Sequence, residues 1–184
     1  MKPRRIVAVT VTYNAGADLD PFLASFAAQT CPGLHLVIID NDSRDGTAER
    51  LSDLSDPRIT VIRNDSNVGV AAANNQGIAV ALAEGADAVL LINNDTVFGP
   101  ELVAGLEARL AFPEAAAVSP LIPYHDDPDR IWYAGGKFVR WAGVLNIHEA
   151  FGRSVSTIGR QPFPTDYAPT TCLLVDRRVF EVVG

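Results

Sequence analysis

The fold of this chain is decided by one stretch, AVLLINNDT at positions 88 to 96. Its first five residues, Ala88 to Ile92, are all apolar, which predicts a strand that is buried on both faces. Asn93, Asn94 and Asp95 follow immediately, and polar groups at the carboxyl end of such a strand lie where open α/β sheets bind ligands. A carboxylate beside neutral amides suits a divalent cation that also takes water and phosphate oxygens. The alternative is a polar turn in which Asp95 caps the following helix.

A repeating pattern of strands and helices surrounds this stretch. Apolar, often β-branched runs alternate four times with helical segments, and a further strand follows. This order is typical of a mostly parallel α/β sheet with helices on both faces. The predicted strands are Ile6 to Val11, Leu36 to Ile39, Ile59 to Ile62, Ala88 to Ile92 and Ala116 to Ser119.

Local signals predict where the helices begin. The first is expected to start at Asp20-Pro21, with Asp20 as its N-cap and Pro21 at the first helical position. Gly77 lies inside the third helix, where glycine costs about 1 kcal/mol relative to alanine, so we expect close packing or ligand approach there. The other predicted helices start near Asp45-Gly46-Thr47, run from Val70 to Ala83, and open at Gly99-Pro100.

Polar residues directly follow three of the predicted strands. Thr12 follows the first strand, Asp40 and Asp42 follow the second, and Asp95 follows the fourth. Because the carboxyl ends of parallel strands meet at one edge of a sheet, we expect these four side chains to lie close together. This edge is therefore the candidate ligand site.

The pattern changes after Pro120. We predict two domains, an α/β core at 1–120 and a less regular second region at 121–184. Within the second region, Tyr124 to Pro169 has little periodicity, and Trp141 to His148 is predicted as half of a hairpin. Thr170 to Val175 is predicted as a strand and Arg177 to Val183 as a helix.

Composition limits the class of partner. The 184 residues are 48% hydrophobic and carry a formal net charge of −7, which argues against a nucleic-acid partner. A basic cluster, Lys2, Arg4 and Arg5, is interpreted as a solvated terminus, and a peripheral contact with a membrane surface is the alternative. No apolar run approaches the ~20 residues that span a bilayer, so we predict a cytoplasmic location, with the inner face of a membrane left open. Two cysteines are too few for a disulfide framework or a zinc site.

Four motifs occur in a defined order. They are VTYN at 11–14, DNDSRDGT at 40–47, NVG at 67–69 with NNQG at 74–77, and NND at 93–95. Each alone is found in many folds, but together they resemble the nucleotide-binding half of a family 2 glycosyltransferase of the GT-A type. The resemblance covers Ile6 to Asp95 and continues more weakly through 133–136 and 171–178. It implies a Rossmann-like GT-A fold and a nucleotide-diphosphate sugar as donor.

The resemblance also implies which residues bind that donor. The corner at Thr12-Tyr13 and the loop from Asp40 to Ser43 would hold the nucleoside, and the small residues of 67–77 would let the backbone approach the nucleotide or the sugar. Two alternatives remain, namely that Asp42 caps the next helix and that 67–77 is only a packing helix with its cap. The implied nucleotide-sugar-binding residues are Thr12, Tyr13, Asn14, Asp40, Asn41, Asp42, Asn67, Gly69, Asn74, Asn75, Asn93 and Asn94.

Asp95 resembles the last carboxylate of the family's DXD metal motif. The implied cofactor is a divalent cation, Mg²⁺ or Mn²⁺, which would bridge the diphosphate and stabilise the leaving group. Such a cation would reverse the local charge, so that an acidic chain binds an anionic donor. Asn93 stands where the motif has its first Asp, and an amide is a weaker ligand than a carboxylate. We therefore expect weak metal binding in the absence of nucleotide.

The motif forms are similar to the bacterial rhamnosyltransferase-like branch of the family. This similarity implies a dTDP- or UDP-linked hexosyl donor, and as acceptor a glycan of a cell-surface polysaccharide or a lipid-linked molecule. Members of this kind are inverting enzymes in which a carboxylate base deprotonates the acceptor. In the resembling sequences the base belongs to a Glu-Asp pair that follows a segment like 179–184. This chain stops at Gly184, so we expect a fragment whose base lies beyond it.

Side chains of the irregular region are alternatives for the catalytic and acceptor roles. The carboxylates are more typical of charges in solvated loops than of a catalytic base. The two histidines are more typical of surface or structural positions than of metal ligands or acceptor contacts. The aromatic rings are more typical of core packing than of stacking on sugar rings. The candidate bases are Asp126, Asp127, Asp129, Glu149 and Asp166; the other candidates are His125, His148, Trp132, Tyr133 and Trp141.

Three other functions compete with glycosyl transfer. An NAD-dependent oxidoreductase would need a G-x-G-x-x-G turn after the first strand, where this chain has TYNAG. A nucleotidyltransferase would use a basic, glycine-rich phosphate loop, which the sequence does not show. A non-catalytic nucleotide-sugar-binding module would bind the donor without transferring the sugar.

Overall fold

The computed structural model describes residues 4–139, 145–159 and 161–183, and it contains a six-stranded sheet. The strands of this sheet are β1 (Ile6–Thr12), β2 (Leu34–Asp40), β3 (Ile59–Arg63), β4 (Ala88–Ile92), β5 (Ala117–Val118) and β10 (Cys172–Asp176). Their order in the sheet is β3-β2-β1-β4-β10-β5. The first four strands in this order are mutually parallel, and β10 is antiparallel to both of its neighbours. The predicted mostly parallel α/β sheet is thus confirmed.

Both faces of the central strands are buried, as their uninterrupted apolar runs predict. On one face, Val7, Val9 and Val89 pack in a cluster with Ala73 and Ala81 of a helix that runs over Val70–Ala83. The alternate side chains, such as Ile6, Ala8 and Leu90, are equally buried on the other face. The helices are α1 (Leu19–Ala27), α2 (Thr47–Ser52), α3 (Val70–Ala83), α4 (Leu102–Leu110) and α5 (Arg177–Val183).

Gly77 of α3 is explained by packing. A Cβ at this position would overlap the side chain of Val9 in β1, so only glycine lets the helix lie this close to the strand. Of the two reasons expected for this glycine, close packing is the one that the structure shows.

The predicted start of α1 is wrong. The helix begins at Leu19, preceded by Asp18, and Asp20 lies within its first turn without capping it. The backbone N–H of Asp18 donates to the carbonyl oxygen of Ala15, and this turn brings the chain into helical geometry before Asp20 is reached. Asp20 instead forms an ion pair with Arg50 of α2.

The chain divides into two compact units, one from residues 4–118 and 170–183 and the other from 119–169. This division differs from the predicted boundary between 120 and 121, because β10 and α5 belong to the larger unit. β10 inserts between β4 and β5, where its backbone can pair on both sides.

The smaller unit contains two short antiparallel pairs and a 3-10 turn. β6 (Ile122–Pro123) pairs with β7 (Ile131–Tyr133), and β8 (Gly136–Val139) pairs with β9 (Leu145–His148). The predicted hairpin is therefore present at β8 and β9, while Trp141 lies outside the described residues, as do Lys2 and Gly184. Among the described helices, none has the length and apolar character needed to cross a bilayer.

Candidate functional site

The ends of β1 and β2 meet at the carboxyl edge of the sheet. Thr12 and Asp40 are register partners in adjacent parallel strands, and both are almost fully buried, with 1% and 2% of their surface exposed. Just beyond them, the backbone N–H of Asn41 donates to the carbonyl oxygen of Thr12 over 2.9 Å. The sequence-predicted proximity of these residues is observed. We call residues 12–16 together with 40–47 the β1–β2 corner.

Asp40 is held by its own loop. Its Oδ1 accepts a 2.5 Å hydrogen bond from the hydroxyl of Ser43 and a 3.3 Å bond from the Ser43 backbone N–H. Its Oδ2 lies 3.9 Å from Nε of Arg63, which ends β3. A carboxylate that is buried and accepts hydrogen bonds in this way fixes the loop that follows β2.

Two residues of the β1–β2 corner have left-handed backbone conformations. Asn14 has φ +53° and Asp42 has φ +66°, and non-glycine residues adopt such angles mainly where surrounding contacts hold them. The contacts are reciprocal: the N–H of Asn14 donates to the hydroxyl of Ser43, and the N–H of Arg44 donates to Oδ1 of Asn14. The loops after β1 and β2 therefore brace each other.

Asp42 does not cap a helix, so that alternative is wrong. Its carboxylate forms a 2.7 Å ion pair with the exposed guanidinium of Arg44, and this pairing raises the pKa of Arg44. α2 follows Gly46 and has no side-chain cap from Asp42. The role of anchoring the start of α2 belongs to Asp45, which accepts hydrogen bonds from the N–H and hydroxyl of Thr47.

Thr47 joins α2 to the loop after β1. Its buried hydroxyl accepts hydrogen bonds from the N–H groups of Ala15 and Gly16, at 3.0 and 3.1 Å, while donating to Asp45 over 2.6 Å. The hydrogen bond from the Thr47 side chain lowers the pKa of Asp45, with smaller help from the N–H groups of Thr47 and Gly16. These hydrogen bonds therefore favour the ionised form of Asp45.

A third strand end adds side-chain amides to this edge. The Nδ2 group of Asn64, directly after β3, donates to Oδ1 of Asn41 over 2.8 Å and to Oε1 of Gln76 over 2.9 Å. Nε2 of Gln76 donates back to Oδ1 of Asn64 over 3.1 Å. Nδ2 of Asn41 donates over 3.4 Å to Oδ1 of Asn67, which also accepts the N–H of Gly69. We call Gln76, Asn64, Asn41 and Asn67 the amide chain.

The remaining predicted donor residues lie on the same elements. Tyr13 is 53% exposed, so its ring is open to solvent at the β1–β2 corner. Gly69 precedes α3 with φ +84°, which favours glycine, and it takes the N-cap position without a side-chain cap. Asn74 is half-buried in α3 and Asn75 is exposed.

The end of β4 is more open. Nδ2 of Asn94 donates over 3.2 Å to the hydroxyl of Thr12, which ties this strand end to the β1–β2 corner. The hydroxyl of Thr96 closes a turn by donating to the carbonyl oxygen of Asn93. Asp95 is exposed and forms no hydrogen bond or ion pair within the described part of the chain. The alternative that Asp95 caps a helix is wrong, because α4 is preceded by Glu101. We call residues 93–96 the β4 end.

The residues of the β4 end fit only one kind of metal ion. Within the described ranges there is no group of three or more His, Cys, Asp or Glu side chains that would hold an ion by itself. The unpartnered carboxylate of Asp95, next to the exposed Asn93, suits an ion that takes its other ligands from phosphate oxygens and water. These residues therefore fit a cation that arrives with a phosphorylated ligand, and do not fit a preformed protein cage.

The candidate bases of the smaller unit are mostly engaged in local contacts. Glu149 pairs with Lys137 at 2.8 Å, Asp129 accepts the hydroxyl of Ser154, and Asp166 accepts the N–H of Phe138 at 3.4 Å. Asp126 and Asp127 are exposed in the loop before β7, as is His125.

The aromatic candidates of the smaller unit pack within it. Tyr133 is 2% exposed, and its hydroxyl donates to the carbonyl oxygen of Tyr167 over 2.6 Å. Nδ1 of His148 lies 3.0 Å from the carbonyl oxygen of Trp132, and its ring contacts those of Trp132 and Tyr133. The core-packing and structural interpretations of these three residues are thus favoured over sugar stacking.

The basic start of the chain is ion-paired where the structure describes it. Arg4 pairs with Asp176 at 2.9 Å and Arg5 with Glu84 at 2.6 Å. Both cysteines are buried, and burial raises the pKa of Cys172 to about 12. Its thiol therefore stays protonated at neutral pH, as expected of a packing residue.

Sequence reasoning missed several members of this edge. Asn64 and Arg63 stand at the end of β3, but only strands one, two and four were expected to contribute. The signal was available, because a polar residue follows an apolar strand there as well. Thr47, Ser43 and Gln76 lie within the quoted motifs, yet their bracing contacts depend on loop geometry that a pattern does not specify.

These features define a class of protein. A mostly parallel sheet whose carboxyl edge gathers polar loops at adjacent strand ends is a nucleotide-binding α/β architecture. The Glycosyl transferase family 2 model matches residues 7–184. The chain belongs to this family, as the four motifs predict, and the family favours glycosyl transfer over oxidoreductase and nucleotidyltransferase chemistry.

Two of the curated relatives are rhamnosyltransferases, which confirms the predicted similarity to the rhamnosyltransferase-like branch of the family. An N-acetylglucosaminyl-diphospho-decaprenol L-rhamnosyltransferase of Mycobacterium tuberculosis is 30% identical, with 96% of this chain and 62% of that protein aligned. The dTDP-rhamnosyl transferase RfbF of Shigella flexneri is 26% identical, over 97% of this chain and 56% of that protein. The chain thus spans about three fifths of the length of these relatives.

Solved glycosyltransferase structures share the GT-A fold. GalNAc-T7, determined with UDP, GalNAc and Mn²⁺, superimposes over 100% of this chain and 37% of its own, with a TM-score of 0.75 and 18% identity. The mannosyltransferase PcManGT of Pyrobaculum calidifontis, in complex with GDP-Man and Mn²⁺, has a TM-score of 0.56 at 25% identity, over 67% of this chain and 37% of its own.

Proposed function

We propose that this chain is the donor-binding part of an inverting glycosyltransferase that takes a sugar from a nucleotide-diphosphate donor. The observation that carries the proposal is the hydrogen-bonded meeting of three strand ends. Thr12 links to Asn41 through the backbone and to Asn94 through its hydroxyl, so the β1–β2 corner and the β4 end form one continuous edge. A donor with a nucleoside at one end and a diphosphate at the other would lie along this polar edge.

The β1–β2 corner would take the nucleoside. Asp42 has a carboxylate whose ion-pair partner, Arg44, is highly exposed and can be displaced at little cost, since surface ion pairs contribute little. A free carboxylate accepts a hydrogen bond from the imide N–H of a pyrimidine. The exposed ring of Tyr13 offers a flat apolar surface to the base.

The β4 end would take the diphosphate. Asp95, with Asn93 as a neutral neighbour, would hold a divalent cation whose remaining ligands are phosphate oxygens and water. The bound cation, Mg²⁺ or Mn²⁺, supplies positive charge that stabilises the departing nucleoside diphosphate. The Mn²⁺ in the PcManGT complex supports this assignment.

The relatives narrow the donor and the acceptor. Both relatives are named as rhamnosyltransferases, which supports a deoxyhexosyl group as the sugar that is transferred. The name of RfbF, a dTDP-rhamnosyl transferase, supports a pyrimidine nucleotide as the carrier of that sugar. The Mycobacterium tuberculosis relative is named for N-acetylglucosaminyl-diphospho-decaprenol, which supports a lipid-linked glycan as acceptor. We place this transfer within the assembly of a cell-surface polysaccharide. Inversion requires that the acceptor hydroxyl attack the sugar from the face opposite the diphosphate, with a carboxylate removing its proton.

Calorimetric titration with nucleotides tests the proposal. UDP, dTDP, GDP and NAD are each added with and without Mn²⁺, to the wild type and to Asp95→Ala. We expect binding of UDP or dTDP that strengthens with Mn²⁺ and loses that dependence in the variant. Metal-independent binding of NAD, or no preference for nucleoside diphosphates, would contradict the proposal.

A second assay distinguishes a transferase from a non-catalytic nucleotide-sugar-binding module. Hydrolysis of dTDP- or UDP-sugar to free sugar and nucleoside diphosphate is followed with Mn²⁺, because many transferases transfer slowly to water. Donor binding with turnover supports a transferase, whereas donor binding without turnover, even after extension of the chain to the length of its relatives, supports the module.

A further inference from the structure

The backbone N–H of Gly69 determines which end of each side chain in the amide chain, the oxygen or the nitrogen, faces its neighbour. The N–H of Gly69 can only donate, and it donates to Asn67 over 2.9 Å, so the atom that receives it must be the amide oxygen, Oδ1. The group of Asn41 that faces this oxygen must then be its Nδ2, which turns Oδ1 of Asn41 towards Asn64. Asn64 must in turn present its own Nδ2. Every amide orientation therefore follows from Gly69.

Within the amide chain, Asn64 is the residue whose side chain has both of its N–H groups and its oxygen hydrogen-bonded. Its two N–H groups are both used, one on Asn41 and one on Gln76, and its oxygen accepts from Gln76. Its backbone N–H also donates to the carbonyl oxygen of Asp40 over 2.8 Å. Asn64 thus ties the end of β3 to the loop after β2 and to α3 at the same time.

The amide chain leaves one hydrogen-bond donor, Nδ2 of Asn67, unused at the carboxyl edge of the sheet. With Oδ1 of Asn67 occupied by Asn41 and Gly69, its Nδ2 has no protein partner among the described residues, and Asn67 is exposed. Asn41, by contrast, is only 2% exposed, so it acts behind the surface. A ligand that meets Asn67 encounters a hydrogen-bond donor with a fixed orientation.

We propose that Asn64 is a positioning residue for the nucleotide donor. Its Nδ2 holds Asn41 so that Nδ2 of Asn41 donates to Oδ1 of Asn67. Together with the N–H of Gly69, this second bond keeps Nδ2 of Asn67 turned outward as a donor to a carbonyl or phosphate oxygen of the bound nucleotide. This inference rests on the proposed function, and it deepens that function by assigning a role to the end of β3. Preorganised donors improve binding because the ligand does not have to order them.

Two isosteric substitutions in one amide pair test the proposal. In Asn64→Asp, an oxygen replaces the group that donates to Oδ1 of Asn41. The buried Asn41 then has two alternatives. It loses the bond to residue 64, or its amide turns over. If it turns over, its oxygen faces the oxygen of Asn67, which the N–H of Gly69 holds in place. In Gln76→Glu, Asn64 keeps both of its donors, and only the exposed bond from Gln76 to Asn64 is lost. The two variants add the same charge at nearly the same place.

The measurement is the dissociation constant of UDP or dTDP with Mn²⁺ for the wild type, Asn64→Asp and Gln76→Glu. We expect about tenfold weaker binding in Asn64→Asp, equivalent to one ligand hydrogen bond, and a change below about twofold in Gln76→Glu. The side-chain amide NMR signals of Asn41 and Asn67 in the unliganded protein are expected to shift in Asn64→Asp and to stay in place in Gln76→Glu.

Each contrary outcome identifies what has failed. Equal losses in both variants would show that added charge, and not the direction of the amide chain, sets the affinity, which overturns the positioning role. Unchanged NMR signals in Asn64→Asp would overturn it as well. If the wild type binds no nucleoside diphosphate, the proposed function fails and the positioning role fails with it.

Discussion

The β1–β2 corner and the β4 end lie on the same sheet edge but differ in how their polar groups are satisfied. At the corner, Asp40, Asn14 and Thr47 each form hydrogen bonds with loop residues, and Asp40 is almost completely buried. At the β4 end, Asp95 is exposed and has no protein partner among the described residues. The difference suggests that one half of the edge is formed before the ligand arrives, while the other half is completed by it.

This contrast has a physical origin. A buried carboxylate is stable only if hydrogen bonds replace the water that it loses, so the corner must be fully bonded in order to fold. An exposed carboxylate stays hydrated at no such cost, and it remains free to coordinate a cation. Burial thus separates two aspartates on one edge: Asp40, which is hydrogen-bonded within the protein, and Asp95, to which the proposed function gives a cation.

The largest expected effect comes from removing the buried carboxylate. Asp40→Ala leaves the hydroxyl and N–H of Ser43 without their acceptor, so we expect the free energy of unfolding to fall by roughly 3 kcal/mol. Asp95→Ala is the matched change at the β4 end, and it is expected to alter stability by less than about 0.5 kcal/mol. Urea denaturation of both variants at neutral pH measures the difference. Similar losses in the two variants would abolish the distinction between the corner and the β4 end.

A smaller effect is expected in acid. Because the hydrogen bonds from Thr47 and Gly16 lower the pKa of Asp45, its stabilisation is present above the unfolded value of 3.8 and is lost as pH falls through the lower folded value. The wild type should therefore lose more stability than Asp45→Asn between pH 5 and the acid limit of the native state. Denaturation curves measured stepwise across this range provide the comparison.

The control for this acid effect is Asp65→Asn, which removes an exposed aspartate from the loop after β3. This variant should follow the wild-type pH dependence, since it keeps Asp45 and the other aspartates with a lowered pKa. Hydrogen bonds from Arg58 lower the pKa of Asp56, and at Asp176 burial raises the pKa but hydrogen bonds from Arg178 and Arg4 outweigh it. If Asp45→Asn and Asp65→Asn behave alike, the bond between Asp45 and Thr47 does not stabilise the corner.

Much of the fold could be predicted from the sequence because burial leaves a clear pattern. The run from Ala88 to Ile92 and the helix from Val70 to Ala83 were predicted with the bounds that the structure shows. The position of β10 in the sheet could not be predicted in the same way, since nothing in its local sequence indicates that it pairs between β4 and β5. Strand pairing across about 80 residues is a property of the sheet and not of either segment.

The candidate site was predictable to the extent that its residues follow strands. Thr12 and Asp40 were placed at one edge by strand order alone, and the structure pairs them in register. Asn94, which the family resemblance implied, reaches the same edge through its hydrogen bond to Thr12. The bracing contacts of Thr47 and Asn64 were not predicted, because hydroxyls and amides in loops have many alternative partners. Only the folded backbone decides which partner lies within reach.

The most direct test of the account is the affinity of the protein for Mn²⁺ with and without nucleoside diphosphate. Free Mn²⁺ is quantified by its electron paramagnetic resonance signal during titration of the wild type and of Asp95→Ala, alone and with saturating UDP or dTDP. The account predicts weak binding of Mn²⁺ to the protein alone, at least about tenfold tighter binding with nucleotide, and loss of that gain in Asp95→Ala. Tight binding of Mn²⁺ without nucleotide, or a gain that survives in Asp95→Ala, would contradict a cation site that the donor completes.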